Sequence, residues 1–257
     1  MEDIKAEKQD DICVLKMSRA RANAINGTML AELDTLIDEA ANDDTIRGLV
    51  LASDHPRAFS AGIDLHEVSQ YDRETMGMFF VRFIDLYESL YLLPKPVVAA
   101  ISGHAMGGGA VLAIACDIRI LASGDYKLAL NEINIGVVLP PGLMRMLVNL
   151  VGSGPAREIL LSGDALTPAR ALEIGLASEL VDPDRVMDRA LARCRELAQK
   201  PPQAFAAIKR NLRAIGGHSS MGGDRHALDQ FLQHWFSTEA EAGRQTLLAS
   251  LAEKSQR

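Results

Sequence analysis

Cysteine is scarce in this chain: Cys13, Cys116 and Cys194 are odd in number and far apart. Neither a disulfide framework nor a CxxC metal site fits them, so a reducing compartment is expected. Positive charge is also lacking. The 257 residues carry a formal net charge of -7, which argues against nucleic acid as a partner. Long hydrophobic runs are missing too. The most apolar stretch, Pro96 to Cys116, is broken by Ser102-Gly103-His104 and Gly107-Gly108-Gly109, so a strand, turn and helix fit it better than a membrane span. Residues Met1 to Asp11 mix acids and lysines without the apolar segment of a signal peptide. The expectation is a cytoplasmic protein with no membrane contact.

Several familiar chemical motifs are absent as well. Gly103 and Gly107 do not have GxGxxG spacing, and no Walker lysine follows them. Ser60 lacks the flanking glycine of a nucleophile elbow, because position 58 is alanine. The histidines His55, His66, His104, His218, His226 and His234 show no ligand spacing, so no metal is expected.

What the chain does have is an ordinary globular balance, 48% hydrophobic and 24% charged, enough for one large core. Short apolar runs at Val14–Met17, Arg47–Ala52, Val97–Ile101 and Ile118–Leu121 read as buried strands. Helices are expected from Thr28, as N-cap, to about Ala41, over Glu74–Leu93, and from Gly108 to about Cys116. Between them lies a turn-rich loop, Ser53–Gly62. The alternation predicts an α/β fold with helices packed on a sheet. Beyond Pro140 the pattern becomes helical, with breakers at Lys200-Pro201-Pro202 and glycine pairs at 216–217 and 222–223. Residues 1–200 are taken as an α/β core and 201–257 as a helical extension.

Two segments would place bare backbone at the end of a buried strand, Arg57–Leu65 and Gly103–Ala110. Three glycines at a helix start allow another molecule to approach closely, and leave N–H groups free at the positive end of the helix dipole. Such a terminus suits an anion or a developing oxyanion. Tight helix–strand packing explains the glycines equally well, and the residues alone leave both readings open.

The segments AFSAGIDL (58–65), KPVVAAISGHAMGGG (95–109), CDIRILA (116–122), NEINIG (131–136) and LTPARALEIGLASELV (166–181) occur in one order. Together they resemble the crotonase, or enoyl-CoA hydratase/isomerase, superfamily over nearly the whole chain. The resemblance implies a stack of ββα units and a C-terminal helical region that forms homotrimers or dimers of trimers. It implies an acyl-CoA thioester as substrate, with coenzyme A part of the substrate and no separate cofactor.

By motif position, the N–H groups of Ile63 and Gly108 become the oxyanion hole. Ala61, Gly62, Asp64 and Leu65 become the substrate-binding stretch, with Gly107 and Val111 beside it. Asp64 is expected to order its loop and not to act as an acid. Hydratases of this kind use two glutamates. The first falls on Val111, which cannot transfer a proton, and the second on Glu132. One catalytic carboxylate resembles the 3,2-trans-enoyl-CoA isomerases, in which a single base moves a proton between two carbons. Dienoyl-CoA isomerases use further aspartates where this chain has Pro140, and the nucleophilic aspartate of dehalogenases is not found. Hydration or hydrolysis of an acyl-CoA is the alternative, and a non-catalytic acyl-CoA-binding protein the third reading. Lys200, Lys209, Arg210 and Arg213 form a basic set on one helix, read as a solvated face that could meet CoA phosphates. Trp235 and Phe236 are read as core packing.

Overall fold

The computed structural model describes residues 3–216 and 225–255. Its main sheet has six strands: β1 (Ile4–Gln9), β2 (Ile12–Met17), β3 (Gly48–Ser53), β5 (Val97–Ile101), β7 (Ile118–Ala122) and β9 (Glu179–Val181). They lie side by side in that order. β1 pairs antiparallel with β2, and every later pairing is parallel. A parallel sheet covered on both faces needs apolar side chains on both, so its strands read as continuous hydrophobic runs. Leu49 and Leu51 of β3 join one core with α1 (Gly27–Asn42), α3 (Arg73–Leu92) and α4 (Gly108–Ala115). Val50 and Ala52 face the other way, onto Val186, Ala190, Leu191 and Cys194 of α8 (Val186–Ala198).

A second sheet was not expected from the sequence. Strands β4 (Ala58–Ser60), β6 (His104–Met106) and β8 (Leu128–Ala129) pair in parallel, Ser60 opposite Ala105 and Met106 opposite Ala129. The turn-rich loop 53–62 therefore contains a strand. All three strands point the same way, so the chain leaves them on one edge, at 61–64, 107–109 and 130–132. Ligands of parallel sheets bind off the carboxyl ends of the strands.

The remaining elements are α2 (Leu65–Val68), the 3-10 turn Glu132–Ile135, α5 (Pro141–Val151), α6 (Ser153–Ser162), α7 (Pro168–Glu173), a 3-10 turn Pro183–Arg185, α9 (Pro202–Ile215), α10 (Arg225–Trp235) and α11 (Thr238–Ser255). Thr167 caps α7 ahead of its N1 proline, accepting from the Arg170 N–H. At α1 the expected cap, Thr28, lies inside the helix. Asn26 is the cap instead, its Oδ1 accepting from the Met29 N–H at 2.9 Å.

The basic set on α9 also departs from its expected role as a solvated face. Lys209 is buried, with its Nζ 2.7 Å from the Asp117 carboxylate, and Arg213 reaches the other oxygen at 2.8 Å. The Arg213 guanidinium also lies 3.6 Å over the Tyr91 ring. These two cations fasten α9 to the sheet and are not available for phosphates. Trp235 is buried as expected, whereas Phe236 is 41% exposed and belongs to no core. The glycine pair 222–223, Gly217 and His218 lie outside the described residues, as does the side chain of His226. Among the described residues, no helix is long and apolar enough to cross a membrane, and no cluster of three potential metal ligands occurs.

Candidate active site

The loop after β4 is held from below by an unusual turn. Ala22 and Asn23 both adopt positive φ, 51° and 53°, a region that side chains rarely enter. The buried Asn23 amide donates to the Phe59 carbonyl and to Ser53 Oγ, while Ala22 accepts from the Ala61 N–H. Ser60 is fully buried. Its Oγ donates to the Asn23 carbonyl at 2.7 Å and accepts from the Gly62 N–H at 3.2 Å. Its hydroxyl therefore shapes the loop, consistent with the absence of a nucleophile motif.

Gly62 then takes φ +90°, and a β-carbon there would stand 2.7 Å from the Met106 carbonyl oxygen and 3.3 Å from the Gly108 nitrogen. The two glycine loops thus touch through bare backbone. Gly109 makes the same demand: a β-carbon on it would lie 2.6 Å from Ser60 Cβ. Ile63 and Gly108 meet here as well, since a β-carbon on Gly108 would lie 3.2 Å from Ile63 Cγ1 and 3.2 Å from Phe83 Cζ. The Ile25 N–H donates to Gly62 and the Asp64 N–H to Ile25, which leaves the Ile63 N–H between them without an acceptor among the described residues. The Gly108 N–H, first of helix α4, has none either. Two amide donors, one at a helix start, therefore share one small region of the molecule.

Glu132 enters from the third strand end. Gly107 sits at φ 47°, ψ -121°, and a β-carbon on it would lie 3.4 Å from Glu132 Oε1 and 3.7 Å from Asn131 Oδ1. The residue as a whole is only half-buried, yet its Oε2 is sealed from solvent and has no hydrogen-bond partner. Burial penalises the charged form of the carboxylate more than a backbone hydrogen bond favours it, and the pKa rises from 4.5 to about 7. A group with that value at neutral pH is poised both to take a proton and to give it back.

Across the turn, Val111 is buried in α4 and apolar. Leu65 packs partly against the core and Ala61 is exposed at the loop surface. Asp64 holds the loop together. It is 2% exposed, its Oδ2 pairs with Arg19 at 2.8 Å, and its Oδ1 caps α2 through the His66 N–H. With its own N–H given to Ile25, the polar groups of the residue are engaged in building the loop. Arg19 was not singled out from the sequence; an arginine in a surface-like stretch carries no local signal of a buried partner.

His104 is likewise packed, its Nδ1 accepting from the Lys127 N–H. His66 is exposed.

The enoyl-CoA hydratase/isomerase family matches residues 7–256 of this sequence. The chain belongs to that family. Relatives in the family carry both activities in their names. A probable enoyl-CoA hydratase of Bacillus subtilis is 34% identical over 241 residues, covering 92% of each chain. Mitochondrial enoyl-CoA delta isomerase 1 of Rattus norvegicus is 33% identical over 188 residues, 73% of this chain and 65% of the rat protein. The crystal structure of human mitochondrial delta3-delta2-enoyl-CoA isomerase superposes with a TM-score of 0.93 at 28% identity, covering 98% of this chain and 99% of that one. The fold is therefore the crotonase fold, and an acyl-CoA is the substrate class that the family implies.

Proposed function

We propose that the chain is an enoyl-CoA isomerase that converts 3-enoyl-CoA to trans-2-enoyl-CoA. The observation that carries this is Glu132: a carboxylate with its Oε1 against Gly107 and its buried Oε2 without a partner, while Val111 stands where, by motif resemblance, hydratases carry a second acid. The thioester oxygen would accept from the Ile63 and Gly108 amides. Glu132 then removes a proton from C2, and the electrons pass into the carbonyl to give a dienolate. Reprotonation at C4 by the same carboxyl group shifts the double bond from C3–C4 to C2–C3, with no atom gained or lost. Each amide donor is worth about 3 kcal/mol to the enolate-like transition state. The CoA portion would lie along the loop from Ala61 to Leu65. Self-association is proposed with this reading, since Ile208, Leu212 and Ile215 leave an apolar strip exposed along α9. Sedimentation of the purified chain tests it, a monomer counting against it.

Replacing Glu132 with glutamine should reduce turnover of 3-enoyl-CoA about 10²- to 10⁴-fold while leaving thioester binding nearly intact. Unchanged turnover would refute the assignment. Hydration is the second reading, favoured by the 34% identity to a probable hydratase. Product formed in heavy-oxygen water separates the two, because isomerisation incorporates none of the label.

A further inference from the structure

Helix α11 packs directly against the 3-10 turn that begins with Glu132. A β-carbon on Gly243, in the middle of α11, would stand 3.0 Å from Ile135 Cα and 3.4 Å from the Ile135 carbonyl carbon. From the other side, a β-carbon on Gly136 would stand 3.1 Å from Ala240 Cα. The two backbones meet here with no side chain between them, and Ala240 is fully buried in the contact. Glycine inside a helix costs about 1 kcal/mol relative to alanine. The close approach is a physical reason for tolerating that cost at position 243.

The helix that makes this contact is itself anchored to the far side of the site. The Arg244 guanidinium lies 4.1 Å over the Trp235 ring, and its NH1 donates to the Trp235 carbonyl at 2.7 Å. Trp235 stacks on Phe231 of α10, and Phe231 stacks at 3.5 Å on Phe80 of α3. Nearly one helical turn along α3 is Phe83, whose Cζ abuts the Gly108 position. A continuous packed path thus runs behind the site, from one oxyanion-hole amide to the segment carrying the base.

We propose that Gly243 is a positioning residue: the close seat of α11 on Ile135 fixes where the Glu132 carboxylate stands relative to the Gly108 amide. This rests on the reading of Glu132 as the base. The ionisable groups on the elements packed against this turn are Glu239, Glu241, Arg244, Glu253 and Lys254 on α11 and Arg157 and Glu158 on α6. Arg244 is turned to Trp235, and no charged neighbour contributes to the shift at Glu132, which comes from burial.

The test is Gly243→Ala in the full chain, with Gln245→Ala on the exposed face of α11 as a control for helix propensity. The added methyl must push the 132–135 turn outward by a few tenths of an ångström, while the helix itself gains stability. Expected for Gly243→Ala are a melting temperature at or above the native value, a kcat lowered about tenfold, and a KM within twofold of native. The acid limb of kcat should move to lower pH as water reaches the carboxyl group. Gln245→Ala should leave all four unchanged. A native kcat and acid limb in Gly243→Ala would overturn the proposal, as would a loss of kcat that only tracks a lower melting temperature or a raised KM. The titration of Glu132 can also be followed without substrate, from the carboxyl infrared difference between native and Glu132→Gln proteins, in both the native and the Gly243→Ala background. An unchanged midpoint overturns the positioning role whatever the reaction, whereas native protein that titrates as expected but fails to isomerise overturns only the proposed function.

Discussion

Gly107 and Glu132 face each other so closely that a β-carbon on the glycine would lie 3.4 Å from Oε1 of the glutamate. The same glycine holds φ 47° and ψ -121°, backbone angles that side chains strongly disfavour. Gly107→Ala should therefore act twice, straining the turn by about 1–3 kcal/mol and crowding the base. Urea melts should show the loss of stability, and kcat should fall at least tenfold in roughly the way a small misplacement of a reacting group predicts. Native values for both would count against the geometry described.

The pH dependence of the reaction follows from the same carboxyl group. Only the ionised form of Glu132 can accept a proton, and burial lifts its pKa to about 7. Activity should thus fall as pH drops through about 7, along a limb set by one ionisation. A kcat/KM profile that stays level between about pH 5.5 and 8 would contradict the assignment.

Stability should move in the opposite sense. In the unfolded chain a glutamate titrates near its ordinary value of 4.5, whereas the folded chain holds the proton up to about 7. Below the lower value both states are protonated and nothing is lost. As pH rises between the two values the unfolded state sheds its proton first, so folding is progressively penalised, and above 7 the penalty is complete. It amounts to about 3 kcal/mol at most. Glu132→Gln should accordingly melt at a higher temperature than the native protein near pH 8 and converge with it near pH 4.5. Equal melting temperatures at both pH values would show that the carboxylate is not buried.

The Asp64–Arg19 pair gives a contrasting case. Its side chains are 3% and 17% exposed, and replacing Asp64 with asparagine removes the charge that pairs with Arg19, leaving Asp3 as the carboxylate partner of Arg19. A loss of about 1.5–3 kcal/mol is expected, together with a raised KM as the 61–64 loop loosens, and little change in kcat. A large fall in kcat at native stability would instead make Asp64 a participant in the chemistry.

The four central strands of the large sheet, β2, β3, β5 and β7, were legible because they are largely buried on both faces, and runs such as Leu49-Val50-Leu51 announce that directly, whereas the half-buried three-residue β9 gave no such run. The small sheet was not legible. β4, β6 and β8 have three, three and two residues, too few for any periodicity to show, and they exist through pairings across about twenty to fifty positions of chain. β1 was missed for a different reason: only Ile4 is fully buried in an otherwise polar edge strand, so its pairing with β2 leaves no local trace. At the site, Glu132 and the glycine loops were found through motif resemblance, because their spacing alone allowed a bland explanation. The burial of Lys209 and the pairing of Lys209 and Arg213 with Asp117 stayed hidden, since Asp117 lies more than ninety positions away from each.

The contact between the two glycine loops has a consequence for how this enzyme can fail. Its proposed electrophilic partners are peptide groups, which no exchange of the Ile63 side chain can delete. Damage must come instead through added bulk. A screen for inactive but well-expressed variants should therefore collect substitutions at Gly62, Gly107, Gly108 and Gly109, where a single methyl meets neighbouring atoms at 2.6–3.4 Å, more often than at any polar surface position. The fragility of such a catalyst is concentrated in its smallest residues.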